Sequence, residues 1–442
     1  MQVWKFGGTS VGKPDRMKSI RDLVTSSKTR KIVVLSALSG STNALLGFGA
    51  ALSLANKTLA LTQINVLYDH YQVFIKDLFT TEAGLTEGKR IVEKEFGFIR
   101  SLADVKIYTL KHDKKMVAQG EIISTQLFTA YLKEMGESVI LLPALEFMSI
   151  DTDNEPEFTK ISEKLTAILE NRSEHILVTQ GFICRNPRGE IDNLKRGGSD
   201  YTASLIGGAI NAEEIQIWTD IDGMHNNDPR VVKRTRPVPE LLFEEAAELA
   251  YFGAKILHPS TITPAKMSGV PVRLKNTMDP AAPGTLITSK KSSGPEIKAI
   301  AAKDNITAIY VHSTRMLNAY GFLRKVFGVF EKYKTPVDMI TTSEVSVAVT
   351  IDNSERLEEI GSELKQFAEL EELDKNQSII CIVGSFLADN SGIAVRILEA
   401  VKHIPIRMIS YGASEHNISL LVDSVHKNDA LEALNEGLFK FD

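Results

Sequence analysis

The chain has 442 residues, of which 43% are hydrophobic and 24% are charged, and its formal net charge is −5. This length accommodates two or three domains with their own cores, and the slightly acidic balance argues against a nucleic-acid partner, which would favour a basic surface. No apolar run approaches the roughly 20 residues that span a bilayer, and the N-terminus lacks the pattern of a signal peptide. We therefore expect a cytoplasmic protein without membrane contact.

Cysteine and histidine usage argues against two further classes of protein. The two cysteines, Cys184 and Cys381, lie in separate apolar runs, which is typical of reduced, buried thiols and not of a disulfide framework. The nine histidines show no spacing typical of zinc ligands. We predict no metal-ligand residues.

Residues 1–288 alternate short apolar runs with longer helical patterns. The apolar runs predict strands over Gln2–Phe6, Lys31–Leu35, Ser138–Leu142, His175–Ile183, Glu214–Thr219 and Val270–Lys275. The intervening periodicity predicts helices over Asp15–Val24, Met116–Leu132, Phe158–Leu169 and Tyr201–Ile210. Strands this apolar are buried on both faces, and their alternation with helices predicts an α/β fold with a mostly parallel sheet between helical layers.

A glycine-rich turn follows the first strand. The stretch KFGGTSVGKP, residues 5–14, comes within one residue of the phosphate-loop pattern, but Pro14 replaces the hydroxyl residue that would bind Mg²⁺. Pro14 suits the first position of the next helix, which makes Lys13 a solvated charge. Lys5 and the adjacent Gly7 and Gly8 are better candidates for holding a phosphate, because glycines let backbone N–H groups approach an anion. Taken alone, the turn is as typical of a structural hinge.

Three further motifs place polar residues at strand ends or helix starts. KRGGSDYTA (195–203) puts Asp200 at a helix N-terminus, where free N–H groups attract anions, although an acidic residue there also simply stabilises its own helix. IWTDIDGMHNNDPRVV (217–232) follows a strand, and ligands of parallel sheets bind at the carboxyl ends of strands. FGAKILHP (252–259) places Lys255 beside a glycine before another helix start.

The sequence repeats itself after a polar segment with Gly and Pro, Ile287–Lys298, that is typical of a linker. Each copy predicts a strand, a helix opened near a glycine, a strand led by proline, a turn with Ser-Glu, and a final strand. Pro336 corresponds to Pro405, and the pair 343–344 corresponds to 414–415. Two copies are too few for a solenoid, so we expect a paired sandwich of small α+β modules.

In this order and spacing, KFGGTSV, KRGGSDYTA, WTD…DPRVV and FGAKILHP resemble the aspartokinases of the amino-acid-kinase fold. The C-terminal repeat resembles the paired ACT domains of these enzymes. The resemblance covers essentially the whole chain and is closest to the lysine-sensitive, single-function branch. It implies a three-layer α/β/α kinase domain over 1–288, a linker over 289–297, and ferredoxin-like ACT units over 298–375 and 376–442, with the strand over 298–311 packing in either unit.

The implied reaction is transfer of the γ-phosphoryl group of ATP, with Mg²⁺, to the side-chain carboxylate of L-aspartate, the first step toward lysine, threonine and methionine. By resemblance, Lys5 lies between this carboxylate and the γ-phosphate, and Asp200 orients Lys5.

Arg196 would bind the α-carboxylate and Glu121 the α-ammonium. The implied aspartate pocket is Ser36, Thr42, Glu121, Phe182, Arg196, Gly197 and Ser199. The implied ATP contacts are Lys5, Gly7, Gly8, Ser10, Thr219, Asp220, His225, Arg230, Lys255 and Ile256. At His225 the related lysine-sensitive enzymes often carry Tyr.

The resemblance also implies feedback regulation. In the lysine-sensitive relatives the effector lies between the first ACT units of two subunits, at positions that match Met316, Ala319, Phe322, Leu323, Asp338, Ser343 and Glu344. Lysine is the expected effector, with threonine or both together as alternatives, and we expect a homodimer through the ACT domains, with a tetramer as the alternative. Two other functions stay open: another kinase of the same fold, and a catalytically silent amino-acid sensor.

Overall fold

A computed structural model of the chain describes residues 1–194, 197–253, 259–290, 296–313, 320–385, 387 and 390–440. Its strands are β1 (Gln2–Phe6), β2 (Lys31–Leu35), β3 (Val139–Leu141), β4 (Ile176–Gln180), β5 (Ile183–Arg185), β6 (Ile191–Asn193), β7 (Ile215–Thr219), β8 (Glu240–Leu242), β9 (Val272–Asn276), β10 (Thr285–Thr288), β11 (Ile297–His312), β12 (Ile340–Thr342), β13 (Ser346–Ile351), β14 (Glu369–Gly384), β15 (Ile406–Ser410) and β16 (Asn417–Asp423). Its helices are α1 (Gly8–Val11), α2 (Pro14–Ser26), α3 (Ser41–Ser53), α4 (Lys57–Leu78), α5 (Glu82–Ser101), α6 (Leu110–Val117), α7 (Gln119–Glu134), α8 (Ala144–Phe147), α9 (Phe158–Glu170), α10 (Gly198–Ala209), α11 (Phe243–Tyr251), α12 (Pro259–Ser268), α13 (Phe322–Lys332), α14 (Leu357–Leu364), α15 (Ile393–Ala400) and α16 (Lys427–Leu438).

The chain forms two compact units. The N-terminal unit contains Met1–Met224 and Leu257–Lys291, and the C-terminal unit contains His225–Ile256 and Ser292–Asp442. Residues 225–256, which the sequence-based division assigned to the kinase domain, therefore group with the C-terminal half. The division at 288, 297 and 375 stays a prediction, and part of the predicted linker, 291–295, lies outside the described residues.

The N-terminal unit contains the predicted, mostly parallel sheet. Its strands lie in the order β3-β4-β2-β1-β7-β9-β10, and each neighbouring pair from β3 to β9 is parallel. β10 runs antiparallel to β9. β1 is a central strand that is hydrogen-bonded on both sides, with Lys5 opposite Val34 of β2 and Ile217 of β7. The carboxyl end of β1 therefore lies between those of β2 and β7, where ligands of such sheets bind.

Helix α2 shows why the chain leaves the glycine turn as it does. Pro14 occupies the start of the helix, and Met17, Ile20 and Val24 are buried on one face, as the periodicity predicts. Lys13 precedes the helix and is exposed, in agreement with its interpretation as a solvated charge. These helical residues belong to the same hydrophobic core as Trp4, Phe6 and the helices α3–α7.

The predicted strand His175–Ile183 is wrong over its last three residues. It ends at Gln180, and a separate two-stranded hairpin of β5 and β6 begins at Ile183. The break occurs because Phe182 has a positive φ of 70°, a conformation incompatible with a continuing strand. The predicted helix Met116–Leu132 is likewise divided into α6 and α7.

The C-terminal unit confirms the internal repeat. Each copy contains strand, helix, strand, strand and a further helix: β11-α13-β12-β13-α14 and β14-α15-β15-β16-α16. The two copies share one sheet, in the order β12-β13-β11-β14-β16-β15, instead of forming separate ones. They do so because β11 and β14 are each 16 residues long and pair antiparallel along their length. The first residues of β11, 297–303, pair with 379–384 of the second copy.

No helix in the described part of the chain combines the length and the apolar character that a bilayer-spanning segment requires.

Candidate active site

The carboxyl end of β1 and the start of α10 bring the two predicted catalytic residues together. Nζ of Lys5 lies 2.6 Å from Oδ1 of Asp200, and the two side chains are only 12% and 17% exposed. Asp200 stands in the first turn of α10, where free backbone N–H groups favour a negative charge. A Cβ on Gly7 would lie 3.4 Å from the ammonium, so glycine leaves the approach to Lys5 open.

The glycine turn after β1 lies directly against the loop that follows β2. A Cβ on Gly8 would lie 3.0 Å from the carbonyl oxygen of Ala37, and one on Gly12 would lie 2.8 Å from Cβ of Ser39. The close approach explains why these positions are glycines. Because α1 begins at Gly8, its first N–H groups lack intrahelical acceptors and can serve an anion.

Glu121 is the most unusual group of the site. It stands in the first turn of α7, is 4% exposed, and accepts a hydrogen bond of 3.3 Å from the N–H of Ala37 at Oε1. Its Oε2 is buried and has no hydrogen-bond partner among the described residues. Burial raises the pKa of this carboxyl to about 7. A buried carboxylate oxygen without a donor is a suitable position for a cationic group of a ligand.

Gly120 explains how α7 brings Glu121 so close to the sheet. A Cβ at this position would lie 2.7 Å from Cβ of Ala37, so only glycine allows the helix to approach the end of β2. The contact is reinforced by Ser124, whose hydroxyl donates to the carbonyl of Ser36 over 2.8 Å. Ser36 itself is half-buried at the end of β2, and Thr42 is half-buried in the first turn of α3.

The end of β4 lies against the start of α10. A Cβ on Gly181 would lie 2.5 Å from Oγ of Ser199, and one on Gly198 would lie 2.3 Å from the ring of Phe182. Phe182 keeps its positive φ because its N–H donates to the hydroxyl of Thr202 over 2.9 Å. A bulky residue in this conformation is strained, and such strain is concentrated at ligand sites. Ser199 thus lies in the first turn of the helix that carries Asp200, Phe182 lies next to this turn, and Gly197 caps the helix with a φ of 76°.

The predicted nucleotide residues of the N-terminal unit lie on neighbouring strands. Thr219 ends β7, and its hydroxyl donates to Oδ1 of the exposed Asp220 over 3.1 Å. The hydroxyl of Ser10 is buried and lies 2.9 Å from that of Thr277. Sequence reasoning missed Thr277. Thr277 follows the predicted strand Val270–Lys275. Thr219 was selected because polar residues at the carboxyl ends of parallel strands bind ligands, and the same rule would have selected Thr277.

His225 and Arg230, also predicted to contact ATP, belong to the C-terminal unit. Nδ1 of His225 lies 2.9 Å from the hydroxyl of Thr235. The guanidinium of Arg230 is exposed and donates twice to Asp228, over 2.9 Å and 2.7 Å. The predictions for Arg196, Lys255 and Ile256 lie outside the described residues.

One predicted effector residue, Asp338, is a carboxylate that has partners at Oδ1, whereas its buried Oδ2 has no hydrogen-bond partner among the described residues. Asp338 is 1% exposed at its side chain, and its Oδ1 accepts from Nζ of Lys303 (2.8 Å) and from the hydroxyl of Tyr251 (2.6 Å). Lys303 also lies 2.9 Å from Asp352. Sequence reasoning missed both donors because Lys303 lies inside a predicted strand and Tyr251 is distant in sequence.

The other predicted effector residues differ in exposure. Phe322 is buried and Leu323 is 40% exposed. Ser343 and Glu344 are exposed, and the hydroxyl of Ser343 accepts from the N–H of Ser346 over 3.1 Å, which is typical of a turn residue. Met316 and Ala319 lie outside the described residues.

The fold and the site define the class of this protein, an amino acid kinase with a C-terminal ACT domain. A model of the amino acid kinase family matches residues 1–276, and a model of the ACT domain matches residues 380–438. These matches agree with the parallel sheet that carries Lys5 and with the second copy of the C-terminal repeat.

Comparison with named proteins refines this class. The chain is 37% identical to aspartokinase 3, chloroplastic, of Arabidopsis thaliana, over 100% of this chain and 82% of that protein. It is 34% identical to lysine-sensitive aspartokinase 3 of Escherichia coli, over 99% of both. The chain belongs to the aspartokinase family.

Two crystal structures of E. coli aspartokinase III match the fold over the full length of both chains at 33% identity. The structure in complex with aspartate and ADP, in the R-state, has a TM-score of 0.83. The structure in complex with lysine and aspartate, in the T-state, has a TM-score of 0.81.

Proposed function

We propose that this aspartokinase transfers the γ-phosphoryl group of ATP to the side-chain carboxylate of L-aspartate, giving 4-phospho-L-aspartate and ADP. The observation that carries the proposal is the mostly buried ammonium of Lys5, held by Asp200 beside the glycine turn at the carboxyl end of β1. The crystal structures of E. coli aspartokinase III in complex with aspartate and ADP, and with lysine and aspartate, support the choice of substrates.

The chemistry requires positioning more than proton transfer. A carboxylate is already a nucleophile at neutral pH, so no general base is needed. One of its oxygens attacks the γ-phosphorus while the bond to the bridging oxygen of ADP breaks. Two anions must meet, and Lys5 lowers their repulsion and stabilises the charge on the transferring group. Asp200 is a positioning residue, because it fixes the ammonium of Lys5 and does not need to accept a proton.

The aspartate pocket is proposed to bind a zwitterion. The unpaired Oε2 of Glu121 would accept from the α-ammonium, and the guanidinium of Arg196 would bind the α-carboxylate with two parallel hydrogen bonds. Ser36, Thr42, Phe182, Gly197 and Ser199 would complete the pocket. The close contact of Ala37 with both Glu121 and Gly8 supports a pocket next to the glycine turn.

ATP is proposed to lie along the ends of β1 and β7. The N–H groups of the turn at Gly7 and Gly8 would bind its phosphates, with Ser10, Thr219, Asp220, His225, Arg230, Lys255 and Ile256 as further contacts. Among the described residues no group of three or more His, Cys, Asp or Glu side chains is placed to hold a metal ion. Mg²⁺ is proposed to be bound mainly by the phosphates of ATP and by water, where it would neutralise phosphate charge.

We further propose feedback inhibition by an amino acid, with lysine favoured by the lysine-sensitive relative and by the lysine complex of E. coli aspartokinase III. The effector would bind at the first ACT unit near Asp338, in a homodimer formed through the ACT domains. A coupling free energy of about 1–3 kcal/mol between the effector and substrate sites would suffice.

The direct test is an acyl-phosphate assay in which hydroxylamine traps the product of aspartate and ATP as a hydroxamate. We expect hydroxamate from aspartate and little from glutamate, and less of it when lysine is added; threonine, and lysine with threonine, serve as the alternative effectors. Absence of hydroxamate under every condition would refute the kinase function. Hydroxamate without inhibition by either amino acid would refute the regulatory part alone.

A further inference from the structure

Three strands meet where the phosphates of ATP are proposed to bind. β1, β7 and β9 are neighbours in the sheet and run parallel, with Lys5 opposite Ile217 and Thr219 opposite Asn276. Their carboxyl ends therefore emerge side by side. The glycine turn leaves β1, the Thr219-Asp220 pair ends β7, and Thr277 directly follows β9.

Thr277 makes one hydrogen bond to each of the two neighbouring segments. Its hydroxyl lies 2.9 Å from that of Ser10 in the glycine turn, and its N–H donates to the carbonyl of Thr219 over 2.7 Å. Ser10 and Thr277 are only 3% and 6% exposed. Because both hydroxyls are buried, loss of either would leave the other without this partner, which is costly in a protein interior.

The opposite side of the glycine turn packs closely against the loop that follows β2. There the backbone at Gly8 lies directly on the carbonyl of Ala37, and Gly12 lies on Ser39. Ala37 also donates to Glu121, so that side is continuous with the proposed aspartate pocket. The turn is thus fixed by backbone packing toward aspartate and by the Ser10–Thr277 hydrogen bond toward the nucleotide.

The loop that carries Thr277 is itself well fixed. Nζ of Lys275 donates to the carbonyls of Pro280 (2.9 Å) and Ala282 (2.5 Å), and Oδ1 of Asn276 accepts from the N–H of Met278 over 2.8 Å. Thr277 is therefore presented by an ordered loop and not by a free chain segment.

We propose that Thr277 is a positioning residue for the nucleotide, which holds the glycine turn in register with the end of β7 through the hydroxyl of Ser10. The proposal rests on the proposed function, since it assumes that this turn binds the phosphates of ATP. Without the hydroxyl of Thr277 the turn shifts on its nucleotide side, while the contacts at Ala37 keep its aspartate side in place. The KM for ATP then rises far more than the KM for aspartate.

The test compares three variants of the full-length protein. Thr277→Val removes the hydroxyl at nearly constant volume, and we expect the KM for ATP to rise roughly tenfold while the KM for aspartate stays within about twofold. Thr277→Ser keeps the hydroxyl and should restore the KM for ATP. Thr129→Val is the matched control, because this buried threonine of α7 bonds a carbonyl of its own helix over 2.8 Å, and it should leave both constants unchanged.

The double variant Ser10→Ala/Thr277→Val covers the case in which Thr277→Val fails to fold, since it leaves neither hydroxyl unpaired. It should keep the wild-type melting temperature and still show a raised KM for ATP. An unchanged KM for ATP, an equal rise of both constants, or a Thr277→Ser variant as impaired as Thr277→Val would each overturn the proposal. These outcomes are measured on a protein whose wild type forms the hydroxamate. If the wild type forms none, the proposed function is refuted, and this inference fails with it.

Discussion

Glu121 in the N-terminal unit and Asp338 in the C-terminal unit are both buried carboxylates predicted to bind an ammonium group of an amino acid. Each has one buried oxygen without a hydrogen-bond partner among the described residues, Oε2 of Glu121 and Oδ2 of Asp338. They differ at the other oxygen, because that of Glu121 accepts from a backbone N–H, whereas that of Asp338 is paired with the ammonium of Lys303 and the hydroxyl of Tyr251. The proposed aspartate pocket therefore offers a carboxylate with no competing protein cation in the described part of the chain. At the predicted effector residue Asp338 a protein ammonium is already present, so an effector bound there would share the carboxylate with Lys303. We therefore expect effector binding at Asp338 to depend on its internal partners, and aspartate binding at Glu121 not to.

The burial of Glu121 also affects the stability of the protein. A carboxyl whose pKa is raised by burial, as at Glu121, lowers the free energy of unfolding once the pH exceeds its unfolded pKa. Between the two pKa values the unfolded chain ionises while the folded one stays protonated, so stability falls as the pH rises. Above a pH of about 7 the whole cost is present, and a shift from 4.5 to about 7 corresponds to at most about 3 kcal/mol. The unpaired carboxylate of Glu121 thus lowers the stability of the ligand-free protein.

The largest effect is expected at Lys5, whose ammonium is proposed to lie between the two substrates. Lys5→Met should lower kcat by at least about 10³-fold, because a preorganised charge at the transferring group is lost. Lys13→Met is the matched control from the same stretch: this lysine is exposed, and its loss should leave kcat within about twofold. Steady-state kinetics with the hydroxamate assay measures both, and comparable losses in the two variants would contradict the assignment of Lys5.

The next effect sharpens the role of Glu121. Glu121→Gln should raise the KM for aspartate by about 10- to 100-fold, since a charged hydrogen bond to the α-ammonium is lost, and leave the KM for ATP nearly unchanged. The same variant should be more stable than the wild type at pH 8, by about 1–3 kcal/mol, because the buried charge is gone. Denaturant unfolding at pH 8 measures the second part. A less stable variant would indicate that Glu121 is satisfied within the protein.

The pH dependence of the KM for aspartate follows from the same carboxyl. With a pKa of about 7 in the free enzyme, Glu121 becomes protonated as the pH falls and then offers no charge to the ammonium. The KM for aspartate should therefore rise about tenfold for each pH unit below about 6, and be constant above about 8. A pH-independent KM between 5.5 and 8 would contradict the account. In Glu121→Gln this dependence should disappear.

The smallest effect is expected in the C-terminal unit. Tyr251→Phe removes one of the internal donors from Oδ1 of Asp338, which makes this oxygen a better acceptor for the effector beside the unpartnered Oδ2, so half-inhibition should need several-fold less lysine. Tyr333→Phe is the matched control, because it also loses a hydroxyl bond to a carboxylate of this unit, at Glu363. Inhibition curves at fixed substrate concentrations distinguish them. An unchanged curve for Tyr251→Phe would show that Asp338 is not limited by its internal partners.

Local patterns predicted the elements that are governed by local physics. β1 and β2 begin and end where the apolar runs predict, and α2 follows from Pro14 and its buried face. The ion pair of Lys5 and Asp200 could be anticipated from two motifs at a strand end and a helix start. The repeat predicted both copies of the C-terminal module, although not that one sheet contains them.

The remaining features depend on contacts between distant residues. The positive φ of Phe182 is maintained by Thr202, and the run of apolar residues there gives no sign of a reversal. Ser10 and Thr277 are 267 residues apart, and the local sequence around either residue does not indicate that their hydroxyls meet. Lys303 has the sequence position of an ordinary strand residue, so its ion pair with Asp338 could not be read from a pattern.

The proposed aspartate pocket depends most on one contact, in which the unpartnered oxygen of Glu121 accepts a hydrogen bond from the α-ammonium of aspartate. Calorimetric titration with aspartate in two buffers of different ionisation enthalpy tests it, because binding must then expel the proton that Glu121 carries near its pKa. We predict release of about half a proton per site at pH 7, and almost none at pH 9 or in Glu121→Gln. Aspartate binding at pH 7 without proton release, or with the same release in Glu121→Gln, would contradict the claim.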